Sequence, residues 1–126
     1  MEEVTIRINE IFQSIQGESL LAGKPTAFVR TSTCNLRCTW CDTKYSYWEG
    51  RVMGIGEIIA EVKKLGMHYV CITGGEPLGQ RGTILLMQRL LGDGYTVSLE
   101  TNGSFSIMHV PLAVIKVIDI KCPDSG

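Results

Sequence analysis

Three cysteines lie close together in the chain, at Cys34, Cys38 and Cys41, with the spacing C-x3-C-x2-C. Thiolate sulfur is a soft ligand that selects zinc, Cu(I) or iron–sulfur clusters. A closed zinc site takes four protein ligands. The candidates for a fourth are poor, because His68 leads into a predicted strand and His109 is far along the chain. The spacing therefore favours a cluster of four irons in which one iron has no protein ligand, with a structural zinc site as the alternative.

The other two of the five cysteines, Cys71 and Cys122, stand apart from this group. An odd number of cysteines without an export signal argues against a disulfide framework. Cys71 is flanked by Val70 and Ile72, so we expect it to be a small buried side chain. We assign no role to Cys122.

A second motif, Thr73-Gly74-Gly75-Glu76-Pro77, follows a predicted buried strand. Glycine leaves the backbone bare, so the amino group of a ligand can approach the end of the strand closely. Alone, a glycine pair would indicate only a turn. Its weight comes from its combination with the cysteine motif.

Periodic apolar residues predict the elements that position these motifs. Strands are predicted at 4–11, 27–31, 69–73, 96–100 and 113–121, and helices at 55–65 and 83–91. Strands that alternate with helices favour a parallel sheet, and ligands gather at the carboxyl ends of its strands. The cysteines, the Gly-Gly-Glu-Pro segment, Glu100-Thr-Asn and Lys121 follow four such strands, so we expect them to converge on one site.

Composition restricts the range of functions. The 126 residues, with a mass of 13.9 kDa, suit one domain and at most about half of a (β/α)8 barrel. The net charge of −1 gives no reason to expect nucleic acid or an acidic membrane as a partner. No apolar run reaches the length of a membrane span, since Lys116 interrupts 110–120. The first residues, Met-Glu-Glu, do not resemble a signal peptide, so we expect a cytoplasmic protein.

Together the cysteine and Gly-Gly-Glu-Pro motifs resemble the radical S-adenosylmethionine (radical SAM) enzymes. In that superfamily the three cysteines hold a 4Fe-4S cluster, and S-adenosylmethionine binds the fourth iron. Over nearly the whole chain the sequence is similar to the 7-carboxy-7-deazaguanine synthase family. The stretches that carry this similarity are Phe12-Gln-Ser-Ile-Gln-Gly-Glu-Ser, Cys41-Asp-Thr, Thr73-Gly-Gly-Glu-Pro, Glu100-Thr-Asn-Gly and Asp119-Ile-Lys-Cys-Pro.

The resemblance implies an α/β fold, a partial (β/α) barrel of the radical SAM type with about four parallel strands and an N-terminal strand extension. It implies one radical SAM domain over 1–126, shorter than the family's full core. The family continues beyond Asp119-Ile-Lys-Cys-Pro, so we expect a C-terminally truncated domain or one that a partner completes. The implied reaction is a radical ring contraction of 6-carboxy-5,6,7,8-tetrahydropterin to 7-carboxy-7-deazaguanine with loss of ammonia, in queuosine biosynthesis.

Site residues follow from the same resemblance, position by position. Cys34, Cys38 and Cys41 would ligate the 4Fe-4S cluster, and Thr43 matches the Mg2+ position. S-adenosylmethionine would contact Trp40, Cys41, Asp42, Gly75, Asp119, Ile120 and Lys121. The pterin would contact Ile15, Gln16, Gly17, Arg30 and Thr73. No residue is assigned as a general acid or base.

The implied partners are a flavodoxin- or ferredoxin-like electron donor and a second copy of the chain, with no nucleic acid and no membrane. Two other functions stay open. A glycyl-radical-enzyme activase shares the cysteine motif, but it would not be expected to carry Ser14-Ile-Gln-Gly-Glu. A non-enzymatic metal-binding module would hold zinc instead of iron.

Overall fold

A computed structural model describes residues 4–17, 22–32, 51–103 and 105–118. These residues form one six-stranded sheet with two helices. The strands are β1 (Thr5–Ile15), β2 (Pro25–Thr31), β3 (Arg51–Gly54), β4 (Tyr69–Gly74), β5 (Thr96–Thr101) and β6 (Ile115–Ile118). The helices are α1 (Ile55–Leu65) and α2 (Gly82–Gly92), and a short 3-10 helix spans Pro77–Gly79.

The strand order is β3-β1-β2-β4-β5-β6. Strands β2, β4, β5 and β6 run parallel to one another, whereas β1 pairs antiparallel with both β2 and β3. The predicted four parallel strands with an N-terminal strand extension are therefore confirmed. Because the four parallel strands are adjacent, their carboxyl ends share one edge of the sheet, as the sequence predicted.

The core lies between the helices and one face of the sheet. Alternate residues of the central strands point to this face and are fully buried, as Val29, Ile72 and Leu99 illustrate. Ile58 of α1 and Leu90 of α2 belong to the same cluster. Burial of these apolar side chains is the main favourable contribution to folding of the sheet with its helices. The described part of the chain contains no helix long and apolar enough to cross a membrane.

Helix α1 ends at Gly66, as the sequence predicts. Gly66 has the left-handed φ of 69°, and its N–H donates to the carbonyl of Lys63. This conformation is nearly free of strain only for glycine. Two elements were missing from the prediction: strand β3, which pairs with the first residues of β1, and the 3-10 helix after the Gly-Gly-Glu-Pro segment.

Strand β1 extends four residues further than predicted, and its register against β2 shifts between Ile8 and Glu10. Ile8 pairs with Thr31 but Glu10 pairs with Arg30, so β1 contains one more residue than β2 at this point. Such a shift reverses which side chains face each side of a sheet. Before the shift, Ile8 is buried in the core. After it, Glu10 lies with Arg30 on the opposite face, which we call the open face because the helices lie on the other side.

The ends of β2 and β4 are held unusually close at Gly74. A Cβ added to Gly74 would lie 2.3 Å from the carbonyl oxygen and 2.5 Å from the nitrogen of Thr31. Gly74 also has a φ of 123°, in the region that favours glycine. Immediately after it, the N–H of Gly75 donates to the carbonyl of Thr31 at 3.2 Å. Backbone contacts of Gly74 and Gly75 with Thr31 therefore hold the ends of β2 and β4 together.

We expect the substitution Gly74→Ala to destabilise the fold by about 4 kcal/mol or more, because its Cβ would collide with backbone that cannot move aside. Gly94 is the matched control, since its φ of 94° is equally unfavourable for alanine but nothing lies within 4 Å of its missing Cβ. Gly94→Ala should lose only about 1–2 kcal/mol from backbone strain. Chemical denaturation of both variants measures the difference, and equal losses would contradict the contact at Gly74.

Candidate active site

Residues in register across β1, β2, β4 and β5 form two rows on the open face. The polar row comprises Glu10, Arg30, Thr73 and Glu100, one from each strand. The lower row, one pleat further from the carboxyl ends of the parallel strands, comprises Phe12, Phe28, Cys71 and Ser98. The polar row thus contains two carboxylates, a guanidinium and a hydroxyl, and the lower row beside it is less polar. Side chains in neighbouring strands at the same level lie within contact distance of one another.

At one end of the polar row, Arg30 makes two contacts. Its guanidinium lies 3.3 Å from a carboxylate oxygen of Glu10, measured from Nη1 to Oε1. It also lies over the ring of Phe12, with 5.1 Å from Cζ to the ring centroid, which is cation–π geometry. Phe12 in turn stacks on Phe28 at a centroid distance of 5.3 Å. Arg30 is exposed but belongs to β2, which is an interior strand of the sheet, so it is not a residue of a sheet edge.

At the other end, Glu100 accepts two hydrogen bonds. The hydroxyl of Thr73 donates to Oε1 at 3.2 Å, and the thiol of Cys71 donates to Oε2 at 3.5 Å. Gln16, which is buried and follows β1, acts on the same thiol by lowering its pKa. Gln16 and Thr73, which are far apart in sequence, therefore converge on one cluster with Cys71 and Glu100.

The Cys71 thiol is uncharged in this environment. Burial raises its pKa to about 12, against an ordinary value of 9.0. The hydroxyl of Ser98 acts in the opposite direction, and the negative charge of Glu100 raises the pKa again. As expected from sequence, Cys71 is buried, and its solvent exposure is 0%. A thiol held this way is a hydrogen-bond donor to Glu100 and not a nucleophile or metal ligand.

Glu76 of the Gly-Gly-Glu-Pro segment points away from the open face and is 8% exposed. Its carboxylate accepts from the N–H of Leu78 at 2.9 Å and from the N–H of Asn102 at 2.8 Å. The hydroxyl of Thr101 lies 2.8 Å from both carboxylate oxygens. Glu76 therefore ties the loop after β4 to the end of β5, a role that sequence reasoning missed.

The structure describes some of the predicted site residues and not others. Arg30 and Thr73 belong to the open face, Gln16 acts on the thiol of Cys71 on that face, and Gly75 directly follows β4. Ile15 is 58% exposed, and nothing lies within 4 Å of the missing Cβ of Gly17. The remaining predicted site residues lie outside the described residues: Cys34, Cys38, Trp40, Cys41, Asp42, Thr43, Asp119, Ile120 and Lys121. In the described part of the chain, no group of three His, Cys, Asp or Glu side chains could hold a metal ion.

Replacement of Glu76 by Gln should destabilise the protein by about 3 kcal/mol. The amide keeps the shape of the side chain, but its NH2 group would face N–H donors that now bond to a carboxylate oxygen. Glu61→Gln is the control, because Glu61 lies on α1 with its side chain 37% exposed and pairs with Lys64 at 2.9 Å. Denaturation curves of the two variants should differ by most of this amount. A Glu76→Gln variant as stable as Glu61→Gln would disprove the tie between the loops.

Cys71 should make stability fall in alkaline solution. Above pH 9 the thiol ionises in the unfolded chain but stays protonated in the folded one, so rising pH favours unfolding. Between pH 8 and pH 10 the wild-type protein should lose about 1 kcal/mol more than Cys71→Ala. Denaturation series at pH 8, 9 and 10 measure this slope, and other titrating groups cancel because both proteins contain them. Parallel slopes would show that the thiol is not protected.

Comparison with known proteins gives one family model and a set of relatives. The model of the Radical SAM superfamily matches residues 28–111, more than half of the chain. A 7-carboxy-7-deazaguanine synthase from Koribacter versatilis is 50% identical over 123 residues, which cover 96% of this chain and 54% of that protein. The enzyme of the same name from Methanospirillum hungatei is 44% identical over 122 residues, which cover 52% of its length. The chain therefore spans about half the length of the curated relatives it matches.

A solved structure agrees with these matches. QueE from Escherichia coli superimposes with a TM-score of 0.78 at 25% sequence identity, and the match covers 94% of this chain and 61% of that one. The resemblance to the 7-carboxy-7-deazaguanine synthases and the predicted fold are thereby confirmed. With a family model over most of its strands and a matching fold, the chain belongs to the radical SAM superfamily.

Proposed function

We propose that this chain carries the cofactor-binding core of a 7-carboxy-7-deazaguanine synthase. The reaction would convert 6-carboxy-5,6,7,8-tetrahydropterin to 7-carboxy-7-deazaguanine with loss of ammonia, in queuosine biosynthesis. One observation carries the proposal: Arg30 and Thr73 lie side by side on the open face, and Gln16, which follows β1, acts on the thiol of Cys71 on the same face. Likeness to synthases at 50% and 44% identity supports it.

The described side chains fit a flat, polar substrate with a carboxylate. Phe12 and Phe28 supply an apolar surface at the level below the polar row. The guanidinium of Arg30 has five N–H donors in a planar fork, which suits a carboxylate, and only its Nη1 is shared with Glu10. Thr73 lies beside Arg30 in register on the neighbouring strand, and its hydroxyl and the amide of Gln16 would hold the ring system. Ile15 and Gly17 complete the proposed pterin contacts from the end of β1.

The cofactors would lie at the carboxyl edge of the parallel strands. Three thiolates at Cys34, Cys38 and Cys41 suit iron–sulfur ligation by the softness of sulfur, and they would hold the 4Fe-4S cluster. Gly75 suits the close approach of S-adenosylmethionine, because it has no side chain. The other proposed contacts of S-adenosylmethionine are Trp40, Cys41, Asp42, Asp119, Ile120 and Lys121. When bound, cluster and cofactor supply the radical chemistry that the side chains of this chain cannot provide.

Thr43 would offer its hydroxyl to Mg2+, a hard ion that accepts oxygen ligands and retains water. The ion could be shared with oxygen atoms of the substrate. We further propose a cytoplasmic protein that acts as a homodimer and takes electrons from a flavodoxin- or ferredoxin-like donor. The protein itself would bind and orient substrate and cofactor and exclude water, since no described side chain is assigned as an acid or base.

The decisive assay is turnover of the carboxytetrahydropterin by anaerobically reconstituted, reduced protein with S-adenosylmethionine and Mg2+. We expect 7-carboxy-7-deazaguanine together with methionine and 5′-deoxyadenosine. Cys38→Ala should lose the bound iron and the turnover. Cys71→Ala should keep the iron, because Cys71 is enclosed in the sheet and donates to Glu100.

The outcomes separate the three candidate functions. An intact cluster that cleaves S-adenosylmethionine without forming the deazaguanine would favour a glycyl-radical-enzyme activase. Metal analysis that finds one zinc and no iron would favour a non-enzymatic metal-binding module. Loss of iron in both cysteine variants would contradict the assignment of the cluster ligands.

A further inference from the structure

We propose that Glu10 is a built-in counter-ion of Arg30, with which the carboxylate of the bound ligand must compete for the guanidinium. Glu10 would thereby lower the affinity of Arg30 for every carboxylate ligand. It would determine how much more tightly the site binds a ligand with a carboxylate than one without it. The inference rests on the proposed function, since it takes the ligand of Arg30 to be a carboxylated pterin. It assigns a specificity-determining role to a residue outside the motifs that carry the family resemblance.

The position of Glu10 follows from the register shift in β1. Without the extra residue between Ile8 and Glu10, the carboxylate would face the helices, as Ile8 does. With it, Glu10 lies directly opposite Arg30 on the open face, with 3.3 Å between Oε1 and Nη1. The register shift in β1 therefore places the carboxylate of Glu10 next to Arg30, the one described cation of the polar row.

Glu10 is not needed to hold Arg30 in place. The guanidinium lies on the ring of Phe12, which stacks on Phe28, so a platform of two aromatic rings fixes its level and orientation. The contact with Glu10 uses only one guanidinium nitrogen, and the two side chains are 46% and 51% exposed. A second anion can therefore reach the fork, but it would then lie beside the Glu10 carboxylate. Like charges at that separation repel each other.

The contribution of Glu10 is small because the pair is exposed. Ion pairs of this kind are weak and are screened by salt. Removal of the charge should therefore tighten binding of a carboxylate about two- to fivefold. The opposite expectation belongs to Phe12: Phe12→Leu removes the platform and should weaken binding of the same ligand.

The test compares Glu10→Gln with wild type in equilibrium dialysis of the cluster-loaded protein against 6-carboxypterin and against pterin, which lacks the carboxylate. Gln keeps an oxygen that can accept from Arg30 while it removes the charge. Glu61→Gln is the matched control, because it removes one charge from an exposed ion pair on α1, on the helix side of the sheet. We expect Glu10→Gln to bind 6-carboxypterin two- to fivefold more tightly, with pterin unchanged and with Glu61→Gln equal to wild type.

Unchanged or weaker binding of 6-carboxypterin by Glu10→Gln would overturn the proposal, as would an equal gain for pterin. If wild type binds neither pterin, the proposed function fails, and a second measurement decides the role of Glu10. Phenylglyoxal modification of Arg30, followed by peptide mass spectrometry, reports how well acetate protects the guanidinium. Half-protection at about two- to fivefold less acetate in Glu10→Gln supports the counter-ion, and equal protection overturns it.

Discussion

The carboxyl edge of the sheet depends on the hydrogen bonds that the buried carboxylate of Glu76 accepts. A buried carboxylate is strongly unfavourable unless hydrogen bonds replace its lost hydration. Here the donors are Leu78 of the 3-10 helix and Thr101 and Asn102 at the end of β5, so the carboxylate is satisfied only when both segments are in place. The ends of β4 and β5 are thereby joined as one unit. The backbone contact of Gly74 with Thr31 adds β2 to it.

At this edge, side chains of three separate strands meet on the open face. The register across the strands places Arg30 beside Thr73, and Thr73 donates to Glu100. Each of these side chains stands near the carboxyl end of a parallel strand, where ligands bind in open α/β sheets. Glu76 belongs to the same short segment, but its carboxylate accepts from donors of the protein and joins the ends of β4 and β5. Thr73 and Glu76 therefore make different contacts although they are three positions apart.

Cys71 shows how its surroundings decide what a cysteine side chain can do. The thiolate is the form of cysteine that binds metal. Burial raises the pKa of Cys71 to about 12, so its thiol stays neutral and donates to Glu100. The environment, and not the residue type, therefore gives Cys71 its role.

The sequence by itself predicted the four parallel strands and the two helices, because apolar periodicity and glycine positions are local signals, but it missed β3. It did not predict the reversal of faces in β1, although the three-residue step from Ile8 to Ile11 breaks the two-residue period there. Only the tertiary structure decided that Glu10 faces Arg30 and that Glu76 bonds to Thr101. Glu10 and Arg30 are 20 positions apart in the sequence, and Glu76 and Thr101 are 25 positions apart. Only the packed sheet brings each pair within hydrogen-bond distance.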